Sequence, residues 1–333
     1  MKKLIQTLTE ALGPSGYEAE VREIVRTEIK PFADEIRVDS LGNLIACKQP
    51  RKTSKNNRKI MISAHLDEIG LIVSHVDRNG FVHFSPLGWV PKMYLPGSHV
   101  RFLNGTPGVV QCERSNNANE LPPLDRYYVD VGATGRSNCP VKIGDVAVFD
   151  GPYRELGNHL MAKSMGSRAG VWVAVETLRS LKSAPQEVDF VFTVQQQVGG
   201  RGALTSAYGV APDLGIAIDC ASAGDAPRSH DTAIALGKGP CIRVQDGSMI
   251  ADVRVVDWMI RLAEKSRIPY QREISSSAIS GTGAIQSTRA GVLSGCLSIP
   301  VRYLHSSSEM VDISDVQNAV RLLTAILRSQ IEL

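Results

Sequence analysis

The chain has 333 residues, a formal net charge of +3 at pH 7, 43% hydrophobic and 21% charged residues. This is the composition of an ordinary globular protein long enough for about two domains, and it excludes collagen-like and disordered chains. No stretch approaches the roughly 18 apolar residues of a membrane-spanning helix. The six cysteines contain no CxxC pair, so they read as reduced, buried thiols of a cytoplasmic protein.

The first residues, MKKLIQTLTEALG, repeat Leu4, Leu8, Ala11 and Leu12 at helical spacing. Polar Gln6, Thr7, Thr9 and Glu10 interrupt what would otherwise resemble a secretion signal. A second helix is predicted over 17–29 and a hairpin over 35–48, turning at Leu41, Gly42 and Asn43. Residues 59–64 (KIMISA) form a continuous apolar run, as a buried central strand requires. The basic stretch 48–59 carries Pro, Ser and Asn but no interleaved aromatics. It reads as a solvated loop and not a nucleic-acid surface.

Between 70 and 159 short β-type runs, at 71–75, 80–84, 99–102, 108–112, 127–131 and 145–149, alternate with turn residues. The span reads as a small all-β barrel or sandwich. Then α/β alternation returns: helix 170–181, strand 188–194, a helix near Gly202, strand 214–219, helix 250–265, strand 270–274, strand 297–301 and a closing helix over 313–333. The prediction is an α/β fold, a mainly parallel or mixed sheet flanked by helices, built from residues 1–69 and 160–333. The β domain at 70–159 interrupts it. A small domain outside the main core is expected to dock on another copy.

In open α/β sheets, ligands sit beyond the carboxyl ends of the strands. His65, Asp67 and Glu68 follow the first buried strand, and Gln195, Gln196 and Gln197 follow the strand at 188–194. Asp219 ends the next, and Tyr303 and His305 follow the last. Two histidines and two aspartates at one sheet edge suit a metal centre, His65 and Asp67 being spaced as a ligand and the group that orients it. A histidine at a strand end is equally an ordinary hydrogen-bonded residue, and Asp219 an ordinary helix cap. The Gly199-Gly200-Arg201-Gly202 run lacks the Lys-Ser/Thr of a phosphate loop.

Seven strings occur in order along nearly the whole chain: SGYE at 15–18, DSLGN at 39–43, AHLDEIGLIV at 64–73, VGGRGA at 198–203, APDLGIAID at 211–219, LGKGP at 236–240 and RYLHS at 302–306. With them the chain resembles the tetrahedral dodecameric metallo-aminopeptidases, glutamyl aminopeptidase-like proteins sometimes labelled cellulase or endoglucanase. The resemblance implies a zinc-exopeptidase-like α/β domain with an inserted β dimerisation domain. It further implies self-assembly from dimer to dodecamer, two zinc or cobalt ions and short peptides as substrates. It places His65, Asp219 and His305 at metal-ligand positions and Asp67 where the first histidine is oriented.

The same resemblance marks the departures. Gly166, in AKSMGSRAG, stands where an aspartate bridges the two metals. Gln196 occupies the general-base position, Gln197 a ligand position, and Gly283 a position usually held by aspartate. Two divalent ions about 3.5–4 Å apart repel by roughly 20 kcal/mol at an effective dielectric of about 20. Glycine offers no donor to offset this, and neutral glutamine replaces no charge and takes no proton from water. The expectation is a catalytically impaired protein or pseudoenzyme that holds zinc or cobalt weakly or substoichiometrically. One alternative is an active metal-dependent aminopeptidase whose rearranged site uses His65, Asp219 and His305. Another is a hydrolase acting through Cys220 or a serine of 275–280, with which the sequence pairs no base.

Overall fold

The computed structural model describes residues 2–50, 58–114, 120–227, 229, 232–331 and 333. Helices α1 (Lys2–Glu10) and α2 (Ala19–Ile29) lead into the antiparallel hairpin β1 (Glu35–Val38) and β2 (Leu44–Lys48), then β3 (Lys59–His65). Of the basic loop between β2 and β3, residues 51–57 lie outside the described residues. Strands β4 (Gly70–Val76), β5 (Val82–Leu87), β6 (His99–Phe102), β7 (Pro107–Cys112), β8 (Tyr127–Asp130) and β9 (Val146–Phe149) close a barrel in the order β4-β5-β8-β7-β6-β9. Its interior is a separate apolar core containing Leu71, Val82, Phe102, Val110, Tyr127 and Ala147.

After the barrel come β10 (Arg154–Leu156), β11 (His159–Ala162), α3 (Met165–Ser180), β12 (Glu187–Thr193), α4 (Arg201–Val210) and β13 (Leu214–Ser222). The chain ends with β14 (Cys241–Gln245), α5 (Val253–Lys265), β15 (Gln271–Ile274), α6 (Gly281–Gln286), β16 (Leu293–Val301), β17 (Glu309–Asp312) and α7 (Ile313–Arg328). The main sheet is mixed, in the order β1-β2-β12-β3-β13-β16-β14-β15. Its centre, β12-β3-β13-β16, is parallel, while β2 and β14 join it antiparallel. Strands β10, β11 and β17 form a small second sheet. None of the described helices is long and apolar enough to cross a membrane.

Strand periodicity sorts the core. On β3, Ile60, Ile62 and Ala64 face the cluster that also holds residues of α1, α2, α3, α5 and α7, whereas Met61 faces the cluster with α4 and α6. Both faces of the sheet are covered, so its central strands are apolar throughout and legible as runs. The fold is thus the predicted α/β class with an added barrel.

Several boundaries differ from the sequence prediction. Helix α3 starts at Met165 and not at 170, because its glycines serve contact and not flexibility. A Cβ on Gly170 would already sit 3.5 Å from the Ile218 carbonyl of β13. Strand β13 runs on to Ser222, since β16 pairs with it as far as Val301. Asp219 therefore lies inside a strand, opposite Ser298, and caps no helix. The closing helix ends at Arg328. Helix α6 (GTGAIQ) is too short and glycine-rich to show a period, and the sequence prediction has no counterpart for it.

Candidate active site

The four parallel strands end at one edge, and the residues that follow or close them line a cavity of about 230 Å³. His65, Gln196, Gln197, Asp219 and His305 all line it. The barrel supplies Trp89 and Phe149 to the same cavity, and the link into it supplies Ile69. Only Leu66, Asp67, Glu68 and Ile69 separate β3 from β4, which is why barrel and site adjoin. The two bodies meet closely: Gly88 (φ +91) lies against Gln197, whose Cβ would be 2.9 Å from a Cβ at position 88.

His65 is 7% exposed, and its Nδ1 donates to the Asp67 main-chain carbonyl at 3.0 Å. The Asp67 carboxylate is farther, 3.5 Å from the same nitrogen. The orienting group is therefore first the backbone of Asp67 and second its side chain. In the neutral ring this leaves Nε2 with its lone pair for a ligand. Burial pushes the His65 pKa down, but the Asp67 hydrogen bond and charge outweigh it and hold the imidazole above its ordinary value.

Asp67 itself is fully buried and anchors the glutamine loop. Its carboxylate accepts from Gln196 N and Gln197 N, both at 2.9 Å, and from the Ser15 hydroxyl. Burial pushes its pKa up, but the His65 interaction and these donors hold it below the usual carboxylate range. Glu18 Oε1 accepts from Gln195 N at 3.0 Å, fixing a residue with φ +55. Asn43 Oδ1 accepts from Val194 N at 2.9 Å, and Asp39 in turn holds Asn43 through its amide at 2.7 Å. A Cβ on Gly202 would strike Asn43 Oδ1 at 2.3 Å and Val194 O at 2.4 Å. The SGYE, DSLGN and VGGRGA strings thus share one task, bracing residues 194–197. LGKGP is braced elsewhere, with Gly237 N and Gly239 N each 2.7 Å from Asp315.

The positions that lack carboxylates are closed and not vacant. Gly166 N donates to Glu309 Oε2 at 2.7 Å. A Cβ there would lie 3.3 Å from Cys220 Cβ and Leu304 Cδ1. At Gly283 a Cβ would meet Ser248 Oγ at 2.5 Å. The Gln196 amide Nε2 donates to Ile279 O at 3.2 Å. Asp219 Oδ1 accepts from Cys220 N at 2.7 Å. His305 (φ +64) stacks obliquely on Trp89, ring centres 5.3 Å apart, and its Nδ1 is buried without a partner. Burial, then the neighbouring His65, pull the His305 pKa down to about 4, so the ring is neutral near pH 7.

Sequence reasoning missed Glu309 and the two basic partners of Glu68. Glu309 lines the cavity, accepts from His305 N at 2.7 Å, and is pushed up to about 7 by burial. Glu68 and Lys163 form a buried pair at 2.7 Å, with Arg168 2.8 Å from the other Glu68 oxygen. Nothing local in the sequence joins positions so far apart, although Glu68 lies inside the AHLDEIGLIV string. Among the described residues, one trio of His, Cys, Asp or Glu brings its donor atoms within 4.8 Å of one another: Cys47, Glu187 and Asp189. It lies at the opposite end of the sheet, where Lys59 Nζ already binds Glu187 at 2.7 Å. His65, Asp219 and His305 do not close into such a trio.

The model of the M42 glutamyl aminopeptidase family matches residues 42–322. The chain belongs to that family. It is 42% identical over 325 residues to a putative aminopeptidase of Acetivibrio thermocellus, covering 97% of both chains. Among solved structures, an aminopeptidase from the archaeon Desulfurococcus kamchatkensis superposes with TM-score 0.93 at 36% identity, over 98% of this chain and 94% of that one. The Pyrococcus horikoshii TET1 peptidase, described as able to assemble into a tetrahedron or a large octahedral shell, superposes with TM-score 0.87 at 29% identity over 99% of each chain. The family match spans every cavity residue from His65 to Glu309. The two-metal centre that the resemblance implies does not fit the donors present: Gly166 has no side chain, and the Gln196 and Gln197 amides carry no charge to hold a second cation.

Proposed function

We propose that this chain is a catalytically silent M42 protein that retains a pocket for short peptides and assembles with copies of itself. One observation carries the reading. Asp67 still receives Gln196 N and Gln197 N at 2.9 Å, so the frame of an aminopeptidase site stands while its carboxylates are gone. His65, Asp219 and His305 are the remaining ligand positions, Gly166 and Gln197 the substituted ones, and Gln196 holds the place of the general base. Zinc or cobalt would find only weak or substoichiometric binding there. The separation of His65, Asp219 and His305 weighs against an active enzyme with a rearranged site.

Self-assembly is supported by the shell-forming TET1 relative and by apolar side chains on the barrel connections. Trp89, Met93 and Ile143 are each about two-thirds exposed, and the barrel, 70–159 in our division of the chain, is the surface we assign to contact between copies. All six cysteines are free thiols, which suits a cytoplasmic protein.

The test is elemental analysis of dialysed protein, together with release of free amino acids from short peptides bearing acidic, basic and apolar N-terminal residues. Less than one zinc or cobalt per chain and no chelator-sensitive release are expected. Two ions per chain, or cleavage that chelator abolishes and metal restores, would overturn the reading.

A further inference from the structure

We infer that Gln196 is a latch, its amide making a contact that an ionised carboxylate in its place could not make. The residues 275–280 link β15 to α6 without regular structure, and Ser277, Ala278 and Ile279 line the cavity. This wall is tied at its far side. Ser275 N donates to Gln245 O at 3.1 Å, Gly247 N donates to Ala278 O at 2.8 Å, and Ser280 N donates to Asp246 Oδ2 at 3.1 Å. Asp246 is itself 3.4 Å from the buried Arg243, whose Nη2 donates to Cys220 O at 2.6 Å.

On the cavity side, the tie is Gln196 Nε2 to Ile279 O. The carbonyl can only accept, so the bond requires a donor, and the amide supplies one. An ionised glutamate at 196 offers acceptors alone and would face that carbonyl with like partial charge. The glutamine side chain is 8% exposed, in surroundings where an unmade hydrogen bond is costly. An acidic residue at 196 therefore leaves the wall untied, and glutamine ties it. The inference deepens the proposed function, since a fixed wall serves a pocket that binds without turning over.

Hydrogen exchange of the intact protein, with no metal or peptide added, reads the latch directly. In Gln196→Met, which keeps the length and loses the donor, amides of 275–280 are expected to exchange about fivefold to tenfold faster, the loss of one net hydrogen bond. Gln196→Glu should match or exceed this. Gln197→Glu, which adds the same charge next door, should leave the segment unchanged. Unaltered exchange in β3 controls for global unfolding. Wild-type exchange in Gln196→Met overturns the latch, as does equal loosening by Gln197→Glu. Because the assay needs neither metal nor turnover, the latch survives if the protein proves active, and its failure leaves the silent reading standing.

Discussion

Placing an acid at position 166 should have opposite effects without and with metal. In Gly166→Asp the new Cβ falls 3.3 Å from Cys220 Cβ and Leu304 Cδ1 and 3.4 Å from Cys220 Sγ. Overpacking of a tight interior costs about 1–3 kcal/mol. The added carboxylate also shares its surroundings with Glu309, bound to Gly166 N at 2.7 Å and already pushed up to about 7 by burial. Like charge adds to the strain, so the chelated variant should lose stability by at least the packing cost. Gly166→Asp combined with Gln196→Glu and Gln197→Glu recreates a donor set that a divalent ion can hold. Free metal a thousandfold above its dissociation constant would then return about 4 kcal/mol. Urea unfolding of wild type, single and triple variants, each with chelator and with zinc, cobalt or manganese, resolves both signs. A wild-type midpoint that rises with metal as far as the triple variant's would refute the reasoning. So would a chelated triple variant as stable as wild type and indifferent to metal.

Glu68→Gln should destabilise by about 3–5 kcal/mol in denaturant unfolding, because it strands two buried cations, Lys163 and Arg168, without their shared partner. Glu309 rises on folding from 4.5 to about 7. The folded state therefore holds its proton longer, and stability falls as pH rises through that window; Glu309→Gln should flatten this slope by an order of 3 kcal/mol. Some slope should remain, since burial also pushes Asp315 up to about 6. Light scattering at micromolar concentration should return a dimer or larger assembly, and a strict monomer would count against the role given to the barrel.

Legibility followed locality. Strand β3 was readable because both its faces are buried, and the barrel strands because turn residues punctuate them. That His65, Gln196, Gln197, Asp219 and His305 line one cavity was readable because parallel strands deliver them to one edge of the sheet. The start of α3 was not, since Gly166 and Gly170 look like helix breakers until the close approach of β13 is seen. Glu309 was not, because its partner Gly166 is 143 residues away and no period or motif links them. Gln196 was legible as a residue at a strand end but not as a donor, since the carbonyl it serves belongs to an irregular segment that only the tertiary fold brings near.

Asp67 grips residues 196 and 197 by their main-chain amides, a mode of attachment blind to side-chain identity. A loop held this way keeps its course whether it carries acids or amides. Folding and chemistry are thereby written in separate atoms: the peptide groups specify where the loop lies, and the side chains alone decide what it does. Such a scaffold can lose its reaction in a few substitutions while every selective demand on its shape continues to be met, and it can be rebuilt for another ligand without first being refolded.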